Sequence, residues 1–194
     1  MLKLHTYISA LTGLQGLCPT PPVAIVDFYG CKCFFDPAWS KPLPAFAQVP
    51  DQLEDFISSV SSGPQALTSQ PMFIDGKPNL SDPRCAWYIQ QIKQGTSLSS
   101  IVPDDDYGRV DAASQFSSTF PPTYFLHGKP DIFVGYELSV RAHEELTKLS
   151  VESILVTPED VGHGFDLQLS DDAKGKELFE KLVEPALEWL AKHV

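Results

Sequence analysis

The stretch P-P-T-Y-F-L-H-G-K-P-D at residues 121–131 contains a short apolar run that ends directly in a polar loop. Two prolines precede the run, and Thr123–Leu126 has the aromatic and β-branched composition that favours a strand. A second run of this kind, 153–157, is followed by the loop G-H-G-F at 162–165. An amphipathic helix is predicted between the two strands, over 136–149. This strand–helix–strand order predicts a parallel sheet covered by helices.

Two further elements extend this order in both directions along the chain. The segment 23–30 is a nearly continuous apolar run, which predicts a strand buried on both faces. The segment 171–192 predicts the last helix, with Ser170 as its cap and Pro185 as the site of a kink. The expected fold class is therefore α/β, with a parallel sheet of about three strands flanked by helices.

Residues 34–122 differ in composition from the segments on either side, since they hold most of the 17 prolines and many serines. Only short helical patches are predicted there. One patch covers 52–60, with Asp51 as its N-cap, and another covers 84–94 and ends at Gly95. We therefore expect a helical lid or cap inserted between the core elements of a single domain.

The composition argues against several classes of function. With 14 basic and 25 acidic residues, the formal net charge is −11, which disfavours nucleic acid and anionic membrane surfaces as partners. No apolar run reaches the roughly 18 residues that a membrane span needs, and the first residues do not read as a secretory signal. The cysteines lack zinc-ligand spacing, and no phosphate loop or dinucleotide fingerprint is present. We expect a cytoplasmic protein without a cofactor.

Asp131 and His163 are the candidate catalytic residues. Each follows a strand of the predicted parallel sheet, and the carboxyl ends of parallel strands share one edge of the sheet. A carboxylate beside a histidine fixes the imidazole tautomer and stabilises the imidazolium that forms during proton transfer. We therefore expect the two side chains within hydrogen-bonding distance, although 32 positions separate them. His127, at a strand end, is expected to be structural.

The same segments resemble a known family. P-P-T-Y-F-L-H-G-K-P-D-I-F-V (121–134) and V-G-H-G-F (161–165) resemble the α/β-hydrolase superfamily, in particular the esterase and lipase branch similar to hormone-sensitive lipase. The other segments that resemble this branch are A-I-V-D-F-Y-G (24–30), D-P-x-W (36–39) and the lid-like R-C-A-W-Y-I-Q-Q-I-K-Q-G-T (84–96). The resemblance covers about residues 20–194 and implies a partial α/β-hydrolase fold.

By this resemblance Asp131 corresponds to the acid and His163 to the base of a Ser-His-Asp triad that hydrolyses carboxylic esters. The implied substrate or ligand is small and apolar. The family's nucleophile stands on a G-x-S-x-G turn, and part of its oxyanion hole comes from an H-G-G-G loop. Neither motif occurs here: the serine position falls near Lys3, and the nearby Ser9 has no flanking glycines. We therefore expect residues 1–194 to be a truncated, C-terminal α/β-hydrolase domain that is inactive alone.

The alternative function is a non-catalytic pseudo-hydrolase that binds a small ligand or serves as a scaffold for a protein partner. In the family, strand 23–30 lies beside the nucleophile-bearing strand, so its outer edge is expected to be open. An open apolar edge is a template for association, so either Met1–Gly16 folds over it, or another chain pairs with it, or the protein aggregates; we expect self-association or a partner chain there. A genomic segment upstream of Met1 that encodes H-G-G-G and G-x-S-x-G would favour the hydrolase.

Overall fold

The structure, a computed structural model, describes residues 22–62, 70–74, 76–102 and 104–194. The strands of this part are β1 (Ile25–Phe28), β2 (Phe73–Ile74), β3 (Lys77–Pro78), β4 (Thr123–Leu126) and β5 (Ser153–Val156). Its α-helices are α1 (Glu54–Ile57), α2 (Ser59–Ser62), α3 (Pro83–Gln94), α4 (Ser97–Ile101), α5 (Glu137–Lys148), α6 (Ala173–Leu178) and α7 (Glu184–Ala191). The described chain divides into two compact units, one of which is Phe35–Asp106.

The other unit contains the expected parallel sheet. Among the described residues, β1, β4 and β5 form a three-strand sheet in the order β1–β4–β5, and both pairings are parallel. Val26 lies opposite Tyr124, and Tyr124 lies opposite Ile154. The expected fold class is confirmed: a parallel sheet flanked by helices, consistent with part of an α/β-hydrolase fold.

The central strand β4 is buried along its whole length, and its side chains alternate between two apolar clusters. Tyr124 and Leu126 pack with residues of the C-terminal helical segment, including Trp189. Phe125 points to the other face and packs with residues of α5, including Leu146. Because successive strand residues face opposite sides, the apolar residues Tyr124, Phe125 and Leu126 serve both clusters, while the buried hydroxyl of Thr123 donates to the carbonyl oxygen of Pro121.

The strand β1 is shorter than the segment 23–30 that was expected to form it. It ends at Phe28 because Tyr29 adopts a left-handed backbone conformation, with φ of 45°. Ile25 and Asp27 on one face are fully buried, whereas Val26 and Phe28 on the other face are partly buried against an apolar cluster, so the expected burial of both faces is met in part. Within the described part of the chain, β1 pairs with β4 alone. The N–H and C=O groups of Val26 point to the other edge of β1, away from β4.

The C-terminal helical segment differs in two details from the expected single helix. It is capped by Asp172, whose carboxylate accepts a hydrogen bond from the Gly175 N–H at 2.8 Å, and not by Ser170. Ser170 instead lies where a side chain at Gly175 would clash with it. A π-helical turn at Phe179–Val183 precedes α7, which has Pro185 in its first turn. The missing N–H of proline leaves that turn without one of its usual backbone donors.

The unit Phe35–Asp106 is built around α3, whose ends follow the sequence signals. Asp82 caps the helix through the N–H groups of Arg84 and Cys85, and Gly95 ends it with φ of 72°. The expected N-cap role of Asp51 was wrong, because α1 begins at Glu54 with Leu53 at its N-cap position; the Asp51 carboxylate instead accepts a hydrogen bond from Lys93 at 2.7 Å. The function of residues 34–122 as a lid stays a prediction. No helix in the described part is both long and apolar enough to cross a membrane.

Candidate active site

The loops that follow β4 and β5 lie side by side at the carboxyl edge of the sheet. The Lys129 N–H donates to the carbonyl oxygen of Pro158 at 2.9 Å, which ties one loop to the other. Gly128 packs directly against the backbone of Val161, so that a side chain there would overlap it. The absence of a Cβ at Gly128 therefore lets the two loops approach closely enough for their side chains to meet.

Asp131 and His163 are in direct contact across these loops. The Nδ1 atom of His163 lies 2.8 Å from Oδ2 of Asp131. The Asp131 side chain is 1% exposed, whereas the His163 side chain is 33% exposed. The structure thus brings together the two candidate residues in the expected geometry, while their catalytic role stays a prediction. A neutral His163 in this contact carries its proton on Nδ1 and leaves Nε2 able to accept one.

The Asp131 carboxylate is held by several donors besides His163. Its Oδ1 accepts hydrogen bonds from the N–H groups of Phe133 at 2.8 Å and Val134 at 3.0 Å. Its Oδ2 lies 3.2 Å from Nε2 of His127. Burial alone would raise the pKa of Asp131, but the hydrogen bonds from His127, His163 and Val134 outweigh it and hold the pKa well below its usual range. Asp131 is therefore ionised, as an orienting carboxylate must be.

Two aromatic rings pack against the His163 ring. The ring of Tyr29 lies 4.4 Å from it between centroids, and the ring of Phe133 lies 5.2 Å from it. The Tyr29 hydroxyl donates to the carboxylate of Asp166, which is close to His163 in sequence. Left-handed backbone at a bulky residue is uncommon and is often found at functional sites. Here the left-handed residue is Tyr29, whose ring packs against the imidazole of His163.

Two large apolar side chains near this pair are exposed to solvent. Ile132 follows Asp131 directly and is 58% exposed, and Leu167 lies on the loop after His163 and is 75% exposed. Both residues adjoin the pair in sequence, one next to Asp131 and the other four positions after His163. Among the described residues, no group of three or more His, Cys, Asp or Glu side chains is placed to hold a metal ion.

Behind Asp131 lies a set of buried polar side chains that sequence analysis did not connect with the site. His127 is fully buried and contacts both Asp131 and Ser139, and Lys32 is fully buried between Ser139 and Asp27. The structural role expected for His127 agrees with this placement. A lysine in the middle of an apolar stretch was the only sequence signal for Lys32. The candidate nucleophile positions, Lys3 and Ser9, lie outside the described residues.

Comparisons with known sequences point to large fungal enzymes, and no family model matches the chain. A non-reducing polyketide synthase of Emericella nidulans is 24% identical over 210 residues, which covers 89% of this chain and 8% of the synthase. Methylphloroacetophenone synthase of Cladonia uncialis is 25% identical over 176 residues, which covers 75% of this chain and 7% of that protein. The chain therefore spans less than a tenth of the length of these relatives.

Comparison with solved structures gives a likeness in fold. A Staphylococcus aureus protein of unknown function superposes with a TM-score of 0.64 at 16% identity, over 98% of this chain and 62% of that chain. The native esterase Est2 of Thermogutta terrifontis superposes with a TM-score of 0.43 at 17% identity, over 92% of this chain and 44% of the esterase. The first likeness extends over nearly the whole chain and concerns the fold alone.

Proposed function

We propose that this chain carries the acid and the base of a Ser-His-Asp hydrolase that cleaves an acyl ester or thioester. The contact between Asp131 and His163 is the observation that supports this most strongly. In this role His163 takes the proton of a nucleophile at Nε2, and the ionised Asp131 holds its tautomer and stabilises the imidazolium. The assignment to the branch similar to hormone-sensitive lipase is part of the same proposal.

The nucleophile, in this proposal, approaches from the side of β1. The His163 ring, on the loop after β5, packs against the ring of Tyr29, the residue that immediately follows β1. A serine on a turn next to the outer edge of β1 would meet the exposed part of the imidazole. We propose that a segment bearing G-x-S-x-G pairs along this edge, supplied by the same gene product or by a partner chain. The oxyanion donors would come with it.

The proposed substrate is an acyl chain with an apolar body. In this proposal the exposed side chains of Ile132 and Leu167, which adjoin the pair in sequence, supply apolar contact to the substrate. Because the curated relatives are named as polyketide synthases, we propose a polyketide-type acyl group, held as an ester or a thioester. The net charge of −11 disfavours an anionic partner surface and is compatible with this substrate.

The test of this proposal begins with the genomic sequence upstream of Met1. If it encodes G-x-S-x-G in frame, the extended chain is expressed and assayed with p-nitrophenyl esters and with an acyl thioester. We expect hydrolysis that falls by about 10³-fold or more in the His163→Ala variant, because the general base is lost.

A matched control is His143→Ala, since the Nδ1 atom of His143, like that of His163, contacts a side-chain oxygen, here Oγ of Ser153 at 2.9 Å, but His143 lies outside the site. Its activity should match that of the unmodified extended chain. Equal loss in both variants, or no hydrolysis by an extended chain that contains the serine, would contradict the proposed function. In the latter case the non-catalytic scaffold becomes the better account.

A further inference from the structure

Asp131 is one end of a chain of buried polar contacts, and Lys32 is the other end. The Lys32 side chain is 0% exposed, and its Nζ lies 3.0 Å from Oδ2 of Asp27 and 2.5 Å from the carbonyl oxygen of Gly30. The same Nζ lies 2.8 Å from Oγ of Ser139, which is 1% exposed. Lysine is almost never fully buried unless it is paired. Lys32 can be fully buried because three oxygen atoms, those of Asp27, Gly30 and Ser139, surround its Nζ.

The direction of each hydrogen bond in this cluster follows from the chemistry of its groups. A lysine ammonium has N–H donors and no acceptor, so Ser139 Oγ accepts from Lys32. The hydroxyl proton of Ser139 is then directed to Nδ1 of His127, which lies 2.7 Å away. On the other side of the imidazole, Nε2 lies 2.9 Å from the carbonyl oxygen of Val134 and 3.2 Å from Oδ2 of Asp131. Both of these are acceptors.

His127 is therefore neutral in this arrangement, with its proton on Nε2. A proton on Nδ1 alone would leave Nε2 with a lone pair facing two acceptors, the carbonyl oxygen of Val134 and the carboxylate of Asp131. An imidazolium there would place a second buried cation on the opposite side of the same hydroxyl, at a large desolvation cost. In the Nε2–H form, Nδ1 accepts from Ser139 and Nε2 donates towards Val134 and Asp131. The donor then points at Oδ2 of Asp131, the same oxygen that accepts from Nδ1 of His163.

We propose that Lys32, acting through Ser139, is a positioning residue that fixes the tautomer of His127 and thereby the carboxylate that orients His163. The importance of this orientation for hydrolysis rests on the proposed function. The tautomer of His127 does not. Lys32 touches no substrate and belongs to the segment after β1, so this chain of contacts links the end of β1 to the loop after β4 through α5. Asp27, which is 2% exposed, balances the charge of Lys32.

The unmodified chain gives a first readout that needs no variant to fold. Long-range ¹H–¹⁵N correlation spectra of the histidine rings, recorded above neutral pH, distinguish protonated from unprotonated ring nitrogens. We expect the Nε2–H tautomer for His127 and the Nδ1–H tautomer for His163. A His127 ring with its proton on Nδ1 would overturn the proposal outright.

Variants then test whether Lys32 and Ser139 cause this selection. Ser139→Ala cuts the link and leaves the pair Lys32–Asp27 intact, and the double change Asp27→Asn with Lys32→Met removes the buried charges together. In either variant we expect the two ¹⁵N shifts of His127 to move towards each other as both tautomers become populated. We also expect the Nδ1–H signal of His163 to shift or to be lost through faster exchange.

Ser153→Ala is the matched control, because it removes the other serine–histidine contact of this unit, that with His143. It should leave the His127 and His163 signals unchanged. Unchanged His127 signals in a folded Ser139→Ala or double variant would contradict the role of Lys32, and altered His127 signals with an unaltered His163 would contradict the coupling to the site. None of these readouts uses hydrolysis, so a failure of the proposed function is seen separately.

Discussion

Gly128 lies so close to Val161 that a Cβ atom on Gly128 would be 1.7 Å from the carbonyl oxygen of Val161. The atom in the way belongs to the backbone, so no side-chain rotation relieves the overlap. Gly128→Ala must therefore move one of the two loops that carry Asp131 and His163. We expect a loss of at least about 1–3 kcal/mol in the free energy of unfolding, as is typical of overpacking, and loss of the His163 Nδ1–H signal.

The matched control for this change is Gly162→Ala. A Cβ atom at Gly162 would meet Pro130 at 3.5 Å, which is an ordinary contact. Urea unfolding and the histidine NMR spectrum should therefore change little in this variant. Equal effects of the two substitutions would contradict the idea that the close approach at Gly128 holds the site together.

The chain of 194 residues is expected to be inactive alone. Purified protein should hydrolyse short p-nitrophenyl esters no faster than its His163→Ala variant, and a fluorophosphonate probe should not label it. The reason is that residues 1–194 contain neither the G-x-S-x-G nor the H-G-G-G motif. The nucleophile and the oxyanion donors each contribute orders of magnitude to the rate of ester hydrolysis. Stoichiometric labelling at Ser9 would contradict this prediction and would supply the missing member of a triad.

The stability of the protein should depend on the ionisation of Asp131 at acid pH. The pKa of this carboxyl is lower in the folded protein than the ordinary value of 3.8. Such a group contributes stability that is fully present above the unfolded pKa and is lost as the pH falls through the folded pKa. We therefore expect Asp131→Asn to be less stable than the unmodified protein near neutral pH, with a difference that narrows below about pH 4.

Denaturant unfolding measured at a series of pH values checks this expectation. Other carboxyl groups with lowered pKa, such as Asp82 and Asp172, also lose their contribution in acid. They do so equally in both proteins, so the difference between the two curves isolates Asp131. Parallel curves down to the lowest pH would contradict the assignment.

The outer edge of β1 is expected to make the isolated chain associate. Backbone groups of alternate residues point to opposite sides of a strand, and Ile25 and Tyr29 donate to the segment of β4. The N–H of Val26 therefore points to the outer edge, where it is a template for another strand. Size-exclusion chromatography with light scattering should show species larger than the 21.4 kDa monomer.

Proline variants locate the associating edge. Val26→Pro removes an outward N–H of β1, and we expect it to shift the protein towards monomer. Leu155→Pro is the matched control on β5. The carbonyl oxygens of Glu152 and Val156 accept hydrogen bonds from the β4 segment, so the N–H of Leu155, at an alternate position, points away from β4. A sharp monomer peak for the unmodified chain, or an equal effect of both variants, would contradict association through β1.

The parts of the fold that sequence patterns predicted are those set by local signals. The bounds of β4 follow from two prolines and a run of four apolar or β-branched residues, and α3 follows from Asp82, Pro83 and Gly95. Asp131 and His163 were found because each stands after a predicted strand. In these cases the residues that predict an element lie within the element or directly beside it.

Asp51 and Lys32 were misjudged or missed because each has a partner far away in the sequence. Asp51 was a reasonable helix cap by its position, but Lys93, 42 positions away, binds its carboxylate instead. The contact of Lys32 with Ser139 spans 107 positions, and a lysine is usually exposed. No local pattern indicates such a pairing, so the support behind Asp131 was visible only in the structure.

The left-handed backbone of Tyr29 limits how far the sequence at this position can vary. A bulky residue in that conformation costs about 1–3 kcal/mol. Glycine and asparagine adopt it more readily, but neither has an aromatic ring to lie against His163. A substitution that relaxes the backbone thus removes the ring, and one that keeps a ring keeps the strain. Related sequences that retain the histidine should therefore retain an aromatic residue here, and tyrosine wherever the partner carboxylate of Asp166 is also kept.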